Sequence, residues 1–566
     1  MIYNRYVVIP YNQIHNIKRV VKKMTKTAFR ILSAVLILVI ACSSLSGCSK
    51  TVKNAELRCP LPKEPTSVDP QTADSNESLT IAANCYESLM KTDENGNIVL
   101  AAASDMQVSS DGLAYLFRLR KDSKWHINSN HEEIFGENYE TAIDLRVTAH
   151  DFVFGIQRAL APETRSPYAS QLFMIKNAEK VNSGKLPVSQ LGVKAVDDYT
   201  LEIQLEYSGS EFIRMLAEPV TAPCNRAFFE ATKGRYGLGA EYVLCNGAFY
   251  LSRWYKKSNI ILRSNPDNVA SQAPIYSVTY AFTQDEKVIL DKLLDDTYAV
   301  APLTAGQVEE AQKKNCTVHE INNGVWGIMF NCADETMQNP KMRLALAMAT
   351  KYDVICSSIT GMTTPAKGII PASCTVEGRP YSEVAQQLGL PGFNSATAKQ
   401  YYDEITQGNG CHITVLCTAE EEDAMRKVMQ DWQQIFGLTL TAGVEVVETD
   451  ELEHRVKAGD YQCALSKIAT NAQTAVEFMQ SFRNGSNVCR FSSQNFDKLL
   501  NQLSVAGSPQ SVVEGCTAAQ KYLVQNAVIL PLFYTSRYIA TGPKMTGVKI
   551  LHSGNIVQLT DAEVLK

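Results

Sequence analysis

A basic stretch containing Lys18, Arg19, Lys22, Lys23, Lys26 and Arg30 leads into one uninterrupted apolar run, ILSAVLILVIAC from Ile31 to Cys42, and small residues follow it. That order limits what the remainder can become. About a dozen apolar residues fall short of the roughly 20 that a helix needs to cross the hydrocarbon layer, so the run reads as an export signal rather than a permanent span. Nothing after Cys48 is apolar for long enough to span a membrane, and the body of the chain is expected to fold as water-soluble domains.

The run closes on Leu45-Ser46-Gly47-Cys48, which resembles the lipobox of bacterial lipoproteins, where the cysteine is lipidated and becomes the first residue. Cys48 is therefore the predicted lipid attachment point, and the other reading is an unprocessed anchor with an incidental cysteine. Met24 begins a better-proportioned signal than Met1 does.

With 566 residues the chain exceeds a single core, since cores stop growing near about 250 to 300 residues. Two large lobes or three domains are expected. The formal net charge of -5 lies beneath a basic leader, so the mature part is more acidic still, and no basic stripe offers a phosphate-tracking surface for nucleic acid. Fifteen cysteines sit at irregular spacing, and removing Cys42 and Cys48 leaves an odd number. Most are expected to be free, buried, small apolar residues of a chain from a reducing habitat, with a partial disulfide set as the other reading. Cys411 and Cys417 end an extended pattern, CHITVLC, that would hold them too far apart to bridge.

The chemistry-bearing motifs are missing. No HExxH, metal-spaced CxxC, GxSxG elbow or GxxxxGK[ST] loop occurs, and the glycines of KGRYGLGAEY (Lys233 to Tyr242) lack dinucleotide-binding spacing. His131-Glu132-Glu133 reads as a solvated loop. No metal ligand, cofactor or catalytic residue is predicted, and an enzyme has no residue-level support.

Periodicity places the elements. LRCPLPKEPTSVDP (Leu57 to Pro70) reads as a strand and a proline-punctuated loop, and LTIAANCYESLM (Leu79 to Met90) as a helix. Asp111-Gly112 marks a hairpin whose second strand sets Tyr115, Phe117 and Leu119 on one side. Thr148 with Asp151 forms a near capping box, and Asp197-Asp198 turns another hairpin. Asn246-Gly247 reads as a tight turn ahead of two further strands. Helices at Met342 to Thr350 and Glu421 to Phe436 then alternate with the strands HITVLC and TLTAGVEVV, which makes the second half α/β. AVILPLFYTSRYIATG (Ala527 to Gly542) returns to strand.

The order EPTSVDP, CYESLM, SPYAS, GVKAVDDYTL, NGAFYLSRW, MFN with NPKMRLALAMAT, MQDWQQIFGLTL, KAGDY and ILPLFY resembles the solute-binding proteins that serve oligopeptide and dipeptide ABC transporters. The resemblance covers nearly everything after Cys48. It implies an α/β, two-lobe periplasmic-binding-protein-like fold of the large peptide-binding type, with three subdomains around a hinged cleft. The implied layout is a signal at 1–47, a lipidated tether at 48–56, lobe I at 57–90 and 206–295 with an inserted subdomain at 91–205, lobe II at 296–520, and a return to lobe I at 521–566. It also implies an oligopeptide ligand, ABC permease subunits as partners, a monomer, and a lipid anchor on the extracellular face of the cell membrane, or on the periplasmic side where an outer membrane exists.

One departure bears on the ligand. Relatives carry GW-x-ADY after the GDY-like strand, with the Asp meeting the peptide ammonium and the Trp packing nearby. Here the run is LSKIATNAQTAVEF, in which Ile468 stands at the Trp position and Asn471, or Thr470 after a slip of one, replaces the Asp. A buried ammonium facing an amide keeps a desolvation cost of several kcal/mol. Ser466 and Lys467 flank this site, and Lys467 repels an ammonium if it faces the cleft or does nothing if it faces solvent. Glu77 and Ser78 match the segment that pairs with bound peptide backbone in relatives, and Trp326 in GVWGIMFN lies near the lobe interface or is a core aromatic. The other readings are a binder of N-blocked peptides or of a non-peptide solute such as an oligosaccharide or metal complex, and a surface sensor without a permease.

Overall fold

Strand β1 (Ala55–Leu61) and helix α1 (Asn76–Cys85) begin a chain that visits three sheets in turn. The computed structural model describes residues 51–93, 97–209, 211–270, 274–351, 364–371, 374–376, 379–385, 391–469, 472, 474–483, 487–504, 506, 508–551 and 556–566. Cys48, Thr470 and Asn471 lie outside them. Lys53–Val564 form one compact unit.

The chain first leaves for an antiparallel sheet of β2 (Ala103–Val108), β3 (Ala114–Leu119), β4 (Val193–Asp197) and β5 (Thr200–Gln204), in the order β2-β3-β5-β4. Gly112 at φ 68° supplies the positive φ that the first hairpin turn requires, and Tyr115, Phe117 and Leu119 are buried along β3. Helix α2 (Ala149–Leu160) packs beside this sheet and starts in a full capping box, with the Thr148 amide donating to Asp151 Oδ2 at 2.8 Å. Burial raises the Asp151 carboxyl to about 6 against the pull of these bonds. Strands β6 (Phe249–Tyr255), β7 (Asn259–Ser264) and β8 (Ile275–Phe282) then rejoin β1 in the order β1-β8-β7-β6, with β8 parallel to β1.

Helix α3 (Glu286–Leu294) carries the chain to the third sheet. In chain order this contains β9 (Val300–Leu303), β10 (Thr317–Phe330), helix α4 (Pro340–Met348), β11 (Cys411–Cys417), helix α5 (Glu422–Phe436), β12 (Leu440–Val446), helix α6 (Thr449–Ala458), β13 (Cys463–Ala469) and β14 (Ile529–Thr541). The strand order is β9-β14-β10-β13-β11-β12, with the short strand Thr364–Pro365 added on β14. Period-two alternation divides its core into two layers. Val325, Ile468 and Tyr534 join Phe478 on one face, and Ile328, Leu465 and Phe533 join Trp432 of α5 on the other. Trp432 Nε1 donates to the Thr350 hydroxyl at 2.9 Å, so the polar atom of this fully buried ring is satisfied.

Three expectations are corrected. The helix expected over Leu79–Met90 runs Asn76–Cys85, because the Asn246 side chain bonds both backbone groups of Glu87 at 3.0 Å and holds the chain extended there. Gly247 permits that contact, since a Cβ would come within 2.7 Å of the Cys85 carbonyl carbon. The Asn246-Gly247 pair therefore acts as a clamp on α1. His131, expected in a solvated loop, is fully buried, accepting from the Asn128 amide at 3.1 Å with Nε2 against the Val243 carbonyl at 3.0 Å. Desolvation lowers its imidazole to about 4. The return to lobe I expected at 521 comes later, because β14 pairs with β10 from Ile529 to Thr541 inside the third sheet.

Among the described cysteines, Cys332 and Cys411 are half-buried and the rest are buried, all as free thiols. Burial pushes the Cys59 thiol up to about 12. Strand β11 holds Cys411 and Cys417 roughly 20 Å apart.

Candidate functional site at the junction of two sheets

The first and third sheets meet where the chain crosses between them twice. The Ala299 amide donates to the Arg58 carbonyl at 2.8 Å and the Gly542 amide to the Ala299 carbonyl at 2.9 Å, which sets both crossings beside β1. Two adjacent crossings are what a hinge between lobes requires.

A cavity of about 270 Å³ opens at this junction. The end of β1 and the first turn of α1 form one wall, including Pro62, Asn76 and Glu77, and β9 with Arg537 to Ile539 of β14 forms the other. Glu77 reaches this wall because Ser75 caps α1 by accepting from the Ser78 amide at 3.1 Å. Ser78 is fully buried beneath that turn, its hydroxyl 3.0 Å from that of Ser75.

Strand register resolves the stretch around Lys467. Lys467 of β13 lies opposite Trp326 of β10, which lies opposite Phe533 of β14, so all three side chains share one face. The Trp326 and Phe533 rings stack at 5.9 Å and 24°. Two-residue steps from Phe533 put Arg537 on the same face, toward the cavity that it lines. Lys467 is half-buried, and desolvation, with repulsion from Arg537 and against attraction from Glu453 of α6, lowers its ammonium to about 7.

Ser466 and Ile468 point to the other face. Both are buried, and Ile468 packs with Val325 and Tyr534 in the core. The structure therefore brings Lys467 and Trp326 together on one face of the third sheet, places Glu77 in the lining of the junction cavity, and sets Ser78, Ser466 and Ile468 in the interior. Arg537 and Phe533 are additions. In the sequence they are ordinary members of a C-terminal strand, and their signal was that strand's alternation, which puts the lone charge of TSRY in phase with Phe533.

The cavity lining combines the Arg537 guanidinium, the Glu77 carboxylate and apolar side chains such as Leu61 and Ile539, which can hold an amphipathic solute. Among the described residues no group of three His, Cys, Asp or Glu side chains is arranged to hold a metal ion, and no helix is long and apolar enough to cross a membrane.

A family model described as bacterial extracellular solute-binding proteins, family 5 Middle, matches residues 97–488. The probable deoxycholate-binding periplasmic protein YgiS of Escherichia coli (strain K12) is 24% identical over 497 residues, 83% of this chain and 86% of that protein. The oligopeptide-binding protein OppA of Bacillus subtilis (strain 168) is 25% identical over 509 residues, 87% of this chain and 89% of that one. Among solved structures, Listeria monocytogenes OppA bound to peptide superposes with a TM-score of 0.72 at 21% identity, covering 91% of this chain and 99% of that chain. The fold is the two-lobe, large peptide-binding type.

Proposed function

Because the chain belongs to family 5 of the bacterial extracellular solute-binding proteins, we propose that it is the substrate-binding component of an ABC importer, capturing oligopeptides by lobe closure. It is anchored by lipid at Cys48 to the outer face of the cell membrane, works as a monomer, and passes its solute to the permease without covalent chemistry. The observation that carries this reading is the cavity at a junction the chain crosses twice, since two adjacent crossings let the walls approach while each sheet stays intact. Relatives named for oligopeptide binding, matched over most of their length, support the ligand class.

A second reading, a solute other than a peptide with a free amine, is favoured by Arg537 in the cavity lining, because a cation there opposes an ammonium. Small-angle scattering on the purified protein tests the first reading. The radius of gyration is expected to fall when a mixed oligopeptide pool is added, with the peptides recovered intact. An unchanged radius together with no calorimetric heat contradicts it.

A further inference from the structure

Among the described cysteines only Cys332 and Cys411 are half-buried, and a half-buried thiol meets an oxidant without prior unfolding. Strand register sets Cys411 apart from Cys463, which pairs with Val415, four residues along β11 and roughly 13 Å away. Cys332 is placed differently. It follows the end of β10, and its backbone amide donates to the Cys489 carbonyl at 2.8 Å. One such bond holds two Cα atoms about 5 to 6 Å apart, inside the roughly 4.4 to 6.8 Å over which a disulfide closes. Both side chains face the same layer: Cys489 is a fully buried member of the core around Phe478, and Cys332 packs against it. Cys463 belongs to the layer on the other face, so the sheet keeps it from competing for Cys332.

The two turns are tied together by more than the one bond. Asn331 Nδ2 donates to the Tyr461 carbonyl at 2.8 Å and the Tyr461 hydroxyl to the Val488 carbonyl at 2.7 Å. A cation stands near both thiols. Arg343 of α4 is buried and held by the carbonyls of Met337, Gln338, Asn526 and Ala527, and its charge pulls both thiols down against the burial that raises them.

We propose that Cys332 and Cys489 form a redox site, at which a small disulfide oxidant converts the dithiol to a disulfide that staples the turn after β10 to the turn carrying Cys489. The Cys332 thiolate attacks one sulfur of the oxidant and one thiol leaves; the Cys489 thiolate then attacks the Cys332 sulfur and displaces the second. Two electrons and two protons pass to the oxidant, which departs as two thiols. The cross-link closes a loop of roughly 160 residues and stabilises the protein by limiting its unfolded chain. Neither cysteine lines the junction cavity, so the inference is independent of the solute-binding reading.

The full chain, purified under reductant and freed of it without air, is treated with oxidised glutathione, alkylated, digested and mapped by mass spectrometry. The expected product carries a Cys332–Cys489 cross-link, lighter by two hydrogens than the two free thiols, and unfolds at a thermal midpoint roughly 5 °C above that of the reduced form. Cys489→Ala is expected to stop at one glutathione on Cys332. Cys332→Ser, a change at a half-buried position, is expected to leave Cys489 free and the midpoint unmoved by the oxidant. A native protein that stops at the mixed disulfide on Cys332, keeps both thiols free, or instead closes the buried neighbours Cys85 and Cys245 overturns the site. A Cys332–Cys489 cross-link that leaves the midpoint unchanged, or lowers it, overturns the stapling.

Discussion

Arg158 and Lys467 are both cations drawn out of water, one in each half of the molecule, and the protein treats them differently. Arg158 is surrounded by partners: Asp69 at 2.6 Å, Gln71 at 2.6 Å, and the face of Phe229 at 4.0 Å. Lys467 is half-buried, and desolvation together with the like charge of Arg537 lowers its ammonium to about 7 against the attraction of Glu453. A charge that the fold has neutralised fixes a conformation. One pushed down by burial and a like charge instead carries a cost into the folded state.

Removing Arg158 is the strongest way to break the comparison. Arg158→Met leaves Asp69 buried without its cation, and urea titration is expected to show a loss of about 3 to 5 kcal/mol. The double variant with Asp69→Asn should recover most of it, since both charges are then gone. A double variant as unstable as the single one would mean that packing on Phe229 matters more than the pair.

His131 sharpens the contrast within the first half. Its folded value near 4 lies below the usual imidazole range, so the unfolded chain takes up a proton before the folded one does as pH falls. Stability is therefore expected to drop between about pH 6.5 and pH 4, by on the order of 2 to 3 kcal/mol from this group. Asp151 has the opposite sign, because its raised value lets the folded state take up a proton first between about pH 6 and pH 3.8. Comparing acid titrations of the native protein and His131→Phe isolates the histidine: the difference should grow below pH 6.5, and a constant difference would refute its burial as a neutral ring.

Lys467 should give the smallest stability change and the reverse response to mutation. Its folded value near 7 means the folded state refuses a proton that the unfolded chain binds between about pH 10 and pH 7, and the full penalty is present below pH 7. Lys467→Met is expected to stabilise the empty protein by about 1 to 2 kcal/mol at pH 6, an advantage that fades toward pH 10. Thermal unfolding at the two pH values checks this. Destabilisation at pH 6 would show that the ammonium is better satisfied than the cleft account allows.

Local signals in the sequence carried much of the fold. The Thr148–Asp151 box, the Asp111-Gly112 hairpin and the helix ending at Phe436 are each made by neighbours within one turn or one strand, so spacing alone reveals them. What escaped depends on distant partners. Asn246 stops α1 from 159 residues away, and a carbonyl at Val243 draws His131 inward from a stretch that is otherwise polar. The site was half legible. Lys467 and Trp326 stood in segments marked by their resemblance to peptide-binding relatives, whereas Arg537 joins them only through the register of three strands that are far apart in the chain.

Native mass spectrometry of the protein, purified from its source without denaturation, tests the central claim most directly. The account predicts a retained oligopeptide that is released intact on unfolding. A retained solute that is not a peptide would contradict it.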